Sequence, residues 1–524
     1  MTAEKPSSQV EESKAKKTRS GFLGDPAQRI GVTEPLARDF IEFLGGKMGR
    51  FARIGTQPFW TPLRCLILLS LTFLSLGFLA KANCVQSNLV DGIAQLDWSG
   101  NRQYTSACYN DIVPLYGGRG LDALSFPYAH SWQEDGLTRY MEYPVLTGIF
   151  QWLMAVLATL FIPVAQVLPW AISDVAVYYA VTCFVMSCMW VWVVRAVSEL
   201  MGNRVWDAVL VAASPLVVIH AFTNWDIVSI AAATAGLLMF ARSKPLAAGV
   251  WIGIGIALKL WPLFLCGAFL VLAIRAKNYA PVLKMYAAAA FTWLLVNAPI
   301  MALYPTAWRE FSRLNAERGW EWTTIYALSS REFGWTGFDG SGKPVILNTV
   351  TLLAFLILCL AILLLGISIK RRPRVAELCY LIVAAFLLVN KVWSPQYSIW
   401  LVVLAALALP EWKLIFSWGL IDALTWPVLM WHMLGTDNKG VPGQFLDLFI
   451  IGRDAMIITI AVLIIRQMLG KRPDKVRDAH GGKDPLSGVY GEEDQFVLAL
   501  GKQRSPSRRI AKTPVDTVEP EVAQ

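Results

Sequence analysis

Two lysines lie where apolar residues are expected, and their chemistry is the most informative feature of the chain. Lys259 lies near the middle of the apolar run 246–275, and Lys391 ends another apolar segment within the string NKVWSPQY. A cation at the centre of a bilayer costs about 2.5–3.5 kcal/mol on insertion scales, so it faces the protein interior and meets an anion or a polar partner. Two such lysines predict an anionic, lipid-linked substrate.

A polar stretch from Lys81 to Glu142 supplies the candidate for acid–base chemistry. Its acids from Cys108 onward are Asp111, Asp122, Glu134, Asp135 and Glu142. Asp111 is the best candidate for a general base, because it follows the aromatic Tyr109 and precedes an apolar Ile-Val-Pro. A general base must lie within hydrogen-bond reach of the hydroxyl that it deprotonates. The alternative interpretation is a turn-forming aspartate in a solvated loop.

Further polar residues fall between or within apolar segments. Asn224 and Asp226 form the string TNWD, and Asn390, Gln396 and Tyr397 belong to NKVWSPQY. An intramembrane asparagine often serves only helix–helix hydrogen bonding. Asp226 also suits the N-terminal cap of a helix. These residues are therefore candidates for substrate binding, with a structural role as the alternative.

A second polar loop, residues 305–344, is rich in tryptophan and arginine, including Arg313 and Arg318. Tryptophan and tyrosine at such a position are typical of the aromatic belt of membrane proteins. The same residue types suit stacking on sugar rings, and arginine suits pairing with phosphate. The two interpretations stay open at this point.

Composition indicates a polytopic helical membrane protein. The 524 residues are 55% hydrophobic and only 16% charged, whereas soluble domains carry about 25% charged residues. Apolar runs of at least about 18 residues recur, which predicts an all-α transmembrane bundle of about 11–13 spans. A β-barrel is excluded, because its strands would alternate rather than run continuously apolar.

The net charge of +9 is concentrated in the tails and in short loops such as IKRRPR (369–374) and RSKP (242–245). This is the positive-inside pattern, so these loops and both tails are predicted to be cytoplasmic. The loops 81–142 and 305–344 are then outside, and nucleic-acid binding is disfavoured. If RSKP is inside, the Lys259 segment must be a hairpin broken near Trp261–Pro262; a single long helix would require RSKP outside.

The distribution of charged and apolar residues divides the chain into a partly disordered tail (1–60), a membrane domain (61–469) and a disordered C-terminal tail (470–524).

Of the eight cysteines, six fall in apolar segments, where cysteine behaves as a small hydrophobe. Cys84 and Cys108 share the first outer loop, so they are the predicted disulfide if that loop faces an oxidising compartment. Two free thiols are the alternative.

Four short strings, in chain order, resemble the GT-C membrane glycosyltransferases. They are YNDI (109–112), EYPVL (142–146), LKLWP (258–262) and NKVWSPQY (390–397), and the NWD of 224–226 resembles a string of one subgroup. That subgroup is the actinobacterial polyprenol-phosphate-mannose-dependent α-mannosyltransferases, with a more distant likeness to the catalytic subunit of GPI mannosyltransferase I. The eukaryotic motif has a second acid where this chain has Val113, which favours a single-base mechanism without a metal.

The resemblance implies an inverting hexosyl- or pentosyltransferase at the outer face of the plasma membrane. Asp111 would be the catalytic base, and Lys259, Lys391, Arg313 and Arg318 would bind the donor phosphate. The substrate-binding residues would be Tyr109, Glu142, Tyr143, Asn224, Asp226, Asn390, Gln396 and Tyr397. The donor would be a polyprenyl-phosphate sugar, with mannose as the sugar that the resemblance favours, and the acceptor a cell-envelope glycolipid or glycan. No cofactor is implied, although a divalent metal stays open.

Three alternatives remain at this point. Arabinofuranose from decaprenyl-phosphate-arabinose would suit the same donor chemistry. A transporter or flippase of a lipid-linked substrate would also place charges in the membrane, but it usually shows two similar halves, and no internal repeat is evident here. A non-catalytic partner in envelope assembly would tolerate loss of Asp111.

Overall fold

The computed structural model describes residues 34–45, 59–340 and 342–498, and it confirms the all-α prediction. Six helical runs are long and apolar enough to cross a membrane, so the chain is a multi-pass membrane protein. Their main helices are α2 (Pro62–Lys81), α7 (Asp174–Met201), α13 (Ala280–Leu303), α16 (Val345–Ser368), α19 (Trp412–Met433) and α20 (Gly443–Met468).

Six shorter apolar segments of 10–17 residues complete the bundle within the described residues. Their helices are α5 (Val145–Ala158), α10 (Asp226–Ala241), α11 (Pro245–Leu258), α12 (Leu265–Ala276), α17 (Val375–Val389) and α18 (Ile399–Ala408). A helix needs about 20 residues to cross the hydrocarbon core. The predicted 11–13 spans therefore correspond to full-length helices together with half-length ones, whose ends meet inside the protein.

The remaining elements are short and lie mostly in the loops. They are α1 (Pro35–Gly45), α3 (Arg102–Thr105), α4 (Ile112–Gly118), α6 (Ile162–Gln166), α8 (Val209–Ala212), α9 (Pro215–His220), α14 (Pro305–Glu317), α15 (Ile325–Phe333) and α21 (Lys475–Ala479). Two antiparallel hairpins, β1 (Ser87–Val90) with β2 (Ile93–Leu96) and β3 (Trp132–Glu134) with β4 (Leu137–Arg139), stand in the first loop. We call the side of the bundle with loops 81–142 and 305–344 the loop face, and the side with residues 471–498 the tail face.

The first loop is a folded cap rather than a linker. Cys84 and Cys108, the predicted pair, are joined by a disulfide that closes its N-terminal part. Arg119 pairs with Glu142 across the loop at 2.7 Å and covers the ring of Trp132. The disulfide closes residues 84–108 and the ion pair closes residues 119–142, so the loop is folded on both sides of Asp111.

The Lys259 segment is a hairpin, the alternative that the charge pattern favours. Helix α11 ends at Leu258, Lys259 is extended (φ −158°, ψ 148°), and a 3₁₀ turn, Trp261–Phe264, leads into α12. The backbone of Arg275, at the end of α12, accepts a hydrogen bond from the Gln495 amide, and Phe240, just before α11, packs 4.2 Å from Phe269 of α12. Both outer ends therefore lie at the tail face, and Lys259 is at the apex.

The break in the hairpin frees backbone groups that must find partners inside the membrane. The Leu258 carbonyl accepts a hydrogen bond from the Thr147 hydroxyl of α5 at 2.5 Å. The Lys259 amide still donates to the Gly255 carbonyl at 2.8 Å. A helix interruption at this depth is thus stabilised by a neighbouring helix.

The prediction of a disordered C-terminal tail from residue 470 is wrong for residues 470–498, while residues 499–524 lie outside the described chain. Asp494 forms ion pairs with Arg275 and Arg372, both of which are almost fully buried. Asp484 accepts the Val375 amide at the start of α17 at 2.9 Å. Polar composition suggested disorder, but these carboxylates neutralise buried arginines of the bundle and order the segment. Of the predicted N-terminal tail, residues 34–45, 59 and 60 are described, and they include α1.

Candidate active site

Asp111 lies at the loop face beneath the folded cap, just before α4. Its amide donates to the Thr223 carbonyl at 2.8 Å, and its carboxylate accepts from the Asn224 side-chain amide at 2.7 Å. The same Asn224 amide group donates to the Tyr143 hydroxyl at 3.1 Å. Three segments that are distant in the chain therefore meet at this carboxylate, which excludes the interpretation of Asp111 as a solvated turn residue.

The surroundings of Asp111 alter its protonation. Burial raises the pKa of this carboxyl above its usual value and outweighs three opposing effects. Those are hydrogen bonds from Asn224 and Tyr109 and the positive charge of Lys259, each of which lowers the pKa. Burial disfavours the charged form of a carboxyl group, so Asp111 is a stronger base than an exposed aspartate.

Lys259 pairs with Asp226 at the apex of the hairpin. The two side chains are 2.5 Å apart, and Asp226 is only 1% exposed whereas Lys259 is 15% exposed. The indole of Trp400 donates to the same Asp226 oxygen at 2.7 Å. The lysine is therefore already neutralised on one side, but an ammonium group has three donors, and its exposed portion remains able to meet an anion.

Aromatic rings surround this ion pair. The Lys259 ammonium lies 4.8 Å from the centre of the Tyr397 ring, which stacks on Trp400 at 4.3 Å. Trp400 in turn stacks on Trp261, the first residue of the turn that follows the hairpin apex. The negative face of an aromatic ring attracts a cation, so these rings hold the Lys259 ammonium together with Asp226.

A cavity of about 380 Å³ opens beside Asp111, and we call it the polar cavity. Its lining includes Asp111, Arg318, Glu321, Trp322, Trp393 and Gln396. This volume lies within the range of small-molecule sites. Three of the predicted residues beyond Asp111, namely Tyr109, Arg318 and Gln396, therefore face the same space.

A second, apolar space of about 660 Å³ lies beside the Lys259 hairpin, and we call it the apolar groove. Its lining includes Leu146, Phe150, Met189, Val228, Ile254 and Leu258. Leu258 directly precedes Lys259, and Val228 lies two residues after Asp226. The ion pair thus has hydrocarbon walls close by on this side.

Other predicted residues have partners of their own in the structure. Lys391 donates its ammonium to the Arg318 carbonyl, and burial together with the charge of Arg318 lowers its pKa to about 8. Arg313 pairs with Glu310 at 2.6 Å and with Glu317, within its own helix. These two cations are occupied in building the second loop, so their contact with a phosphate stays a prediction.

Two more predicted substrate residues also have structural contacts. The Asn390 side-chain amide donates to the Val392 carbonyl at 2.7 Å and shapes the turn after α17. Glu142 is held by Arg119, as described for the cap. Their contact with substrate likewise stays a prediction.

The sequence interpretation missed Lys81, the last residue of α2. It is 1% exposed, donates to the Tyr109 carbonyl at 3.0 Å, and lies 4.4 Å from the centre of the Trp426 ring. A lysine at the end of a span normally extends to the membrane surface, so its position gave no signal. It also missed Trp400, which lies three residues after the string NKVWSPQY, at the start of an apolar run.

Within the described ranges, no group of three or more histidine, cysteine, aspartate or glutamate side chains is placed to hold a metal ion. Metal independence remains a prediction.

Comparison with known proteins gives one family match. The model of glycosyltransferase family 87 matches residues 149–395, slightly under half of the chain. This range contains the TNWD string, the Lys259 hairpin and the second outer loop, and it ends within NKVWSPQY. No curated protein matches the chain significantly.

Among solved structures, the chain is similar to ArnT from Cupriavidus metallidurans bound to undecaprenyl phosphate. It shares 11% sequence identity, the similarity covers 78% of this chain and 79% of that one, and the TM-score is 0.37.

Proposed function

We propose that this chain is a membrane glycosyltransferase of the GT-C type that transfers a sugar from a polyprenyl-phosphate donor to a hydroxyl group of an acceptor. The observation that carries the proposal is that the partly buried Asp111 carboxylate lines the polar cavity and lies close enough to the Lys259–Asp226 pair to be affected by both charges. The match to the family 87 model supports the same reaction class over residues 149–395.

The proposed reaction is a direct displacement. Asp111 accepts the proton of the acceptor hydroxyl, whose oxygen forms a bond to the anomeric carbon of the donor sugar. The bond between that carbon and the phosphate oxygen breaks, and polyprenyl phosphate leaves with the electron pair. Attack from the side opposite the leaving group inverts the configuration. The raised pKa of Asp111 brings it closer to the operating pH, which suits a general base.

Cations near the cavity would stabilise the charge that develops on the leaving phosphate. Lys259 retains free donors beyond its bond to Asp226, and Arg318 lines the polar cavity. Positioned charges are worth most in a site from which water is excluded. Lys391 and Arg313 would contribute only if the donor displaced their present partners.

The apolar groove is the proposed place for the polyprenyl tail. Its hydrocarbon lining suits an isoprenoid, and it lies beside the residues that flank Lys259 and Asp226. The acceptor would then enter through the polar cavity, where Asp111 and Gln396 offer hydrogen-bonding groups. Donor and acceptor would reach the reaction centre from different directions.

The finer assignments rest on the sequence resemblance. Mannose is the proposed sugar and arabinofuranose the rival. The acceptor is proposed to be a cell-envelope glycolipid or glycan, and the active site is proposed to face outward from the plasma membrane. Substrate contacts by Tyr109, Glu142, Tyr143, Asn224, Asn390 and Tyr397 belong to the same proposal, as does a reaction without a metal.

The test is sugar transfer by the purified protein in detergent. Polyprenyl-phosphate-mannose and decaprenyl-phosphate-arabinose are offered separately with a membrane lipid extract as acceptor, with and without EDTA. We expect transfer from one donor, unaffected by EDTA, and a loss of about 10²–10⁴-fold in Asp111→Asn, the range for removal of a general base. Asp122→Asn, an exposed acid of the same loop, is the matched control and should keep full activity.

Different failures have different meanings. Equal activity in the Asp111 and Asp122 variants would remove Asp111 from the catalytic role. If neither donor binds, the glycosyltransferase proposal fails. Movement of a bound donor across a vesicle membrane without sugar transfer would instead support the transporter hypothesis.

A further inference from the structure

One wall of the polar cavity is formed by an irregular stretch of the second outer loop, residues 318–324. We call this stretch the wall segment. It lies between α14 and α15 and forms neither helix nor strand. It contributes Arg318, Glu321 and Trp322 to the cavity lining. Irregular backbone close to a membrane must find partners elsewhere in the protein.

Three cations from other parts of the chain supply those partners. Lys391 donates to the Arg318 carbonyl, Arg331 donates to the Trp322 carbonyl at 2.9 Å, and Arg453 donates to the Thr323 carbonyl at 2.6 Å. Hydrogen bonds from charged donors are roughly twice as strong as neutral ones. The Glu321 amide also donates to the Lys391 carbonyl at 2.9 Å, so the backbone of the wall segment is held through both carbonyl and amide groups.

Arg453 differs from the other two cations in its position. It is the eleventh residue of α20, within a predicted span, and its side chain is 0% exposed. Its guanidinium pairs with Asp454 at 2.9 Å and lies flat over the Trp393 ring, 3.6 Å from the ring centre. Trp393 is itself part of the cavity lining, and its carbonyl accepts the Thr323 hydroxyl at 2.5 Å.

A buried ion pair is a poor source of stability, because desolvation offsets the attraction between the charges. Arg453 also leaves one terminal nitrogen, Nη1, without a hydrogen-bond partner among the described residues. The placement of Arg453 has a geometric consequence instead. Its guanidinium contacts the wall segment through Thr323 and the neighbouring part of the cavity lining through Trp393.

We propose that Arg453 is a positioning residue that holds the wall segment, and with it Arg318 and Trp322, in a conformation that binds substrate. This inference rests on the proposed function for the meaning of the cavity, but not for the contact itself. Loss of Arg453 should loosen the wall segment and weaken substrate binding. It should leave Asp111 and its bond to Asn224 intact, since neither contacts Arg453.

The first experiment measures hydrogen exchange of the peptide that covers residues 318–324, in purified full-length protein without substrate. We expect exchange to rise at least tenfold in Arg453→Met and in the double variant Arg453→Met/Asp454→Asn, which also removes the charge of Asp454. Arg453→Lys keeps the charge and one donor but loses the planar stack, so its rate should be intermediate. Arg466→Met, an exposed arginine of the same helix, is the matched control.

The second experiment separates KM from kcat, using whichever of polyprenyl-phosphate-mannose and decaprenyl-phosphate-arabinose the wild-type protein turns over. We expect KM to rise about tenfold in the double variant with kcat within threefold, both corrected for folded protein. A purely structural role would lower the amount of folded protein and leave KM unmoved.

The two proposals fail in different ways. Unchanged exchange of the 318–324 peptide in folded Arg453→Lys and in the double variant would overturn the positioning role, whatever the activity. Increased exchange with no sugar transfer by the wild-type protein would leave the positioning role standing and defeat the proposed function. If the methionine variants do not fold, Arg453→Lys alone decides.

Discussion

The Lys259–Asp226 pair allows stability and function to be separated by substitution. Changing Lys259 to Met leaves the Asp226 carboxylate, 1% exposed, with only the Trp400 indole as a hydrogen-bond donor. Breaking a buried ion pair from one side costs about 3–5 kcal/mol, because the remaining charge is uncompensated. Replacing both members, as Lys259→Met/Asp226→Asn, should recover most of that loss, since no buried charge remains.

The assay is thermal unfolding of the purified protein in detergent. With an unfolding entropy of about 2.1 cal/mol/K per residue over roughly 400 ordered residues, each kcal/mol shifts Tm by about 1 °C. We therefore expect Lys259→Met to melt about 3–5 °C below wild type, and the double variant to regain at least half of that difference. Both variants should lose sugar transfer, because both lack the cation at the proposed phosphate site.

A surface pair provides the matched control. Arg242 and Glu199 are 2.6 Å apart but 41% and 44% exposed, so removing Arg242 should cost no more than about 1 kcal/mol. If Lys259→Met and the double variant melt at the same temperature, the reasoning from an uncompensated buried carboxylate is refuted. If the double variant still transfers sugar, Lys259 does not bind the leaving phosphate.

Three further predictions concern other parts of the molecule. Burial raises the pKa of Asp111, and a carboxyl group acts as a base only when it is ionised. We therefore expect activity to fall on acidification at a pH above the usual carboxyl range. A pH–rate profile whose acidic limb persists in Asp111→Asn would contradict this. Replacing Cys84 and Cys108 by Ser removes a disulfide with a sequence separation of 24. The loop-entropy model predicts a loss of about 3–4 kcal/mol in the free energy of unfolding, and therefore a lower Tm in detergent. An unchanged Tm would mean that the cap does not need the disulfide. Asp494→Ala leaves two buried arginines without their carboxylate. We expect trypsin to release the C-terminal segment of this variant faster than that of the control variant Glu493→Ala, in which an exposed residue is changed. Equal rates of release would show that the ion pairs do not order the segment.

The polar residues within apolar segments were predictable because each of them breaks a strong hydrophobic pattern. Asp111, Asn224, Asp226, Lys259 and Tyr397 all belong to the constellation around the ion pair. Charge and amide groups are costly in an apolar environment, so their presence indicates partners. The pattern does not show which partner each residue has, since that depends on contacts between segments far apart in the chain.

For the same reason, the roles of Lys391 and Arg313 were harder to predict. A cation near a membrane is equally well satisfied by a phosphate, a backbone carbonyl or a glutamate one helical turn away. Lys391 contacts the Arg318 carbonyl and Arg313 contacts Glu310. The role of Arg453 was hard to predict for a different reason. The adjacent Asp454 suggests a local ion pair, whereas the contact of Arg453 with Thr323 joins residues that are 130 positions apart in the chain.

The span count also shows where hydropathy stops being informative. Windows of about 20 residues identify apolar length, but they do not show whether a helix continues through it. The run that contains Lys259 is long enough for one tilted span, yet Pro262 and the lysine divide it into two half-length helices. The alternation of basic loops carried the information that distinguishes these arrangements.

The interrupted hairpin has a consequence for biosynthesis. Its apex is satisfied by Thr147, which precedes Leu258 by 111 residues and is already in the membrane when the break is made. Its tail-face end depends on Asp494, which follows Arg275 by 219 residues and emerges near the end of translation. Chains fold from the N-terminus during synthesis, so the apex should be ordered early. The buried guanidinium of Arg275 must meanwhile remain hydrated or borrow another anion until the last segment arrives, which makes completion of the chain the step that closes the bundle.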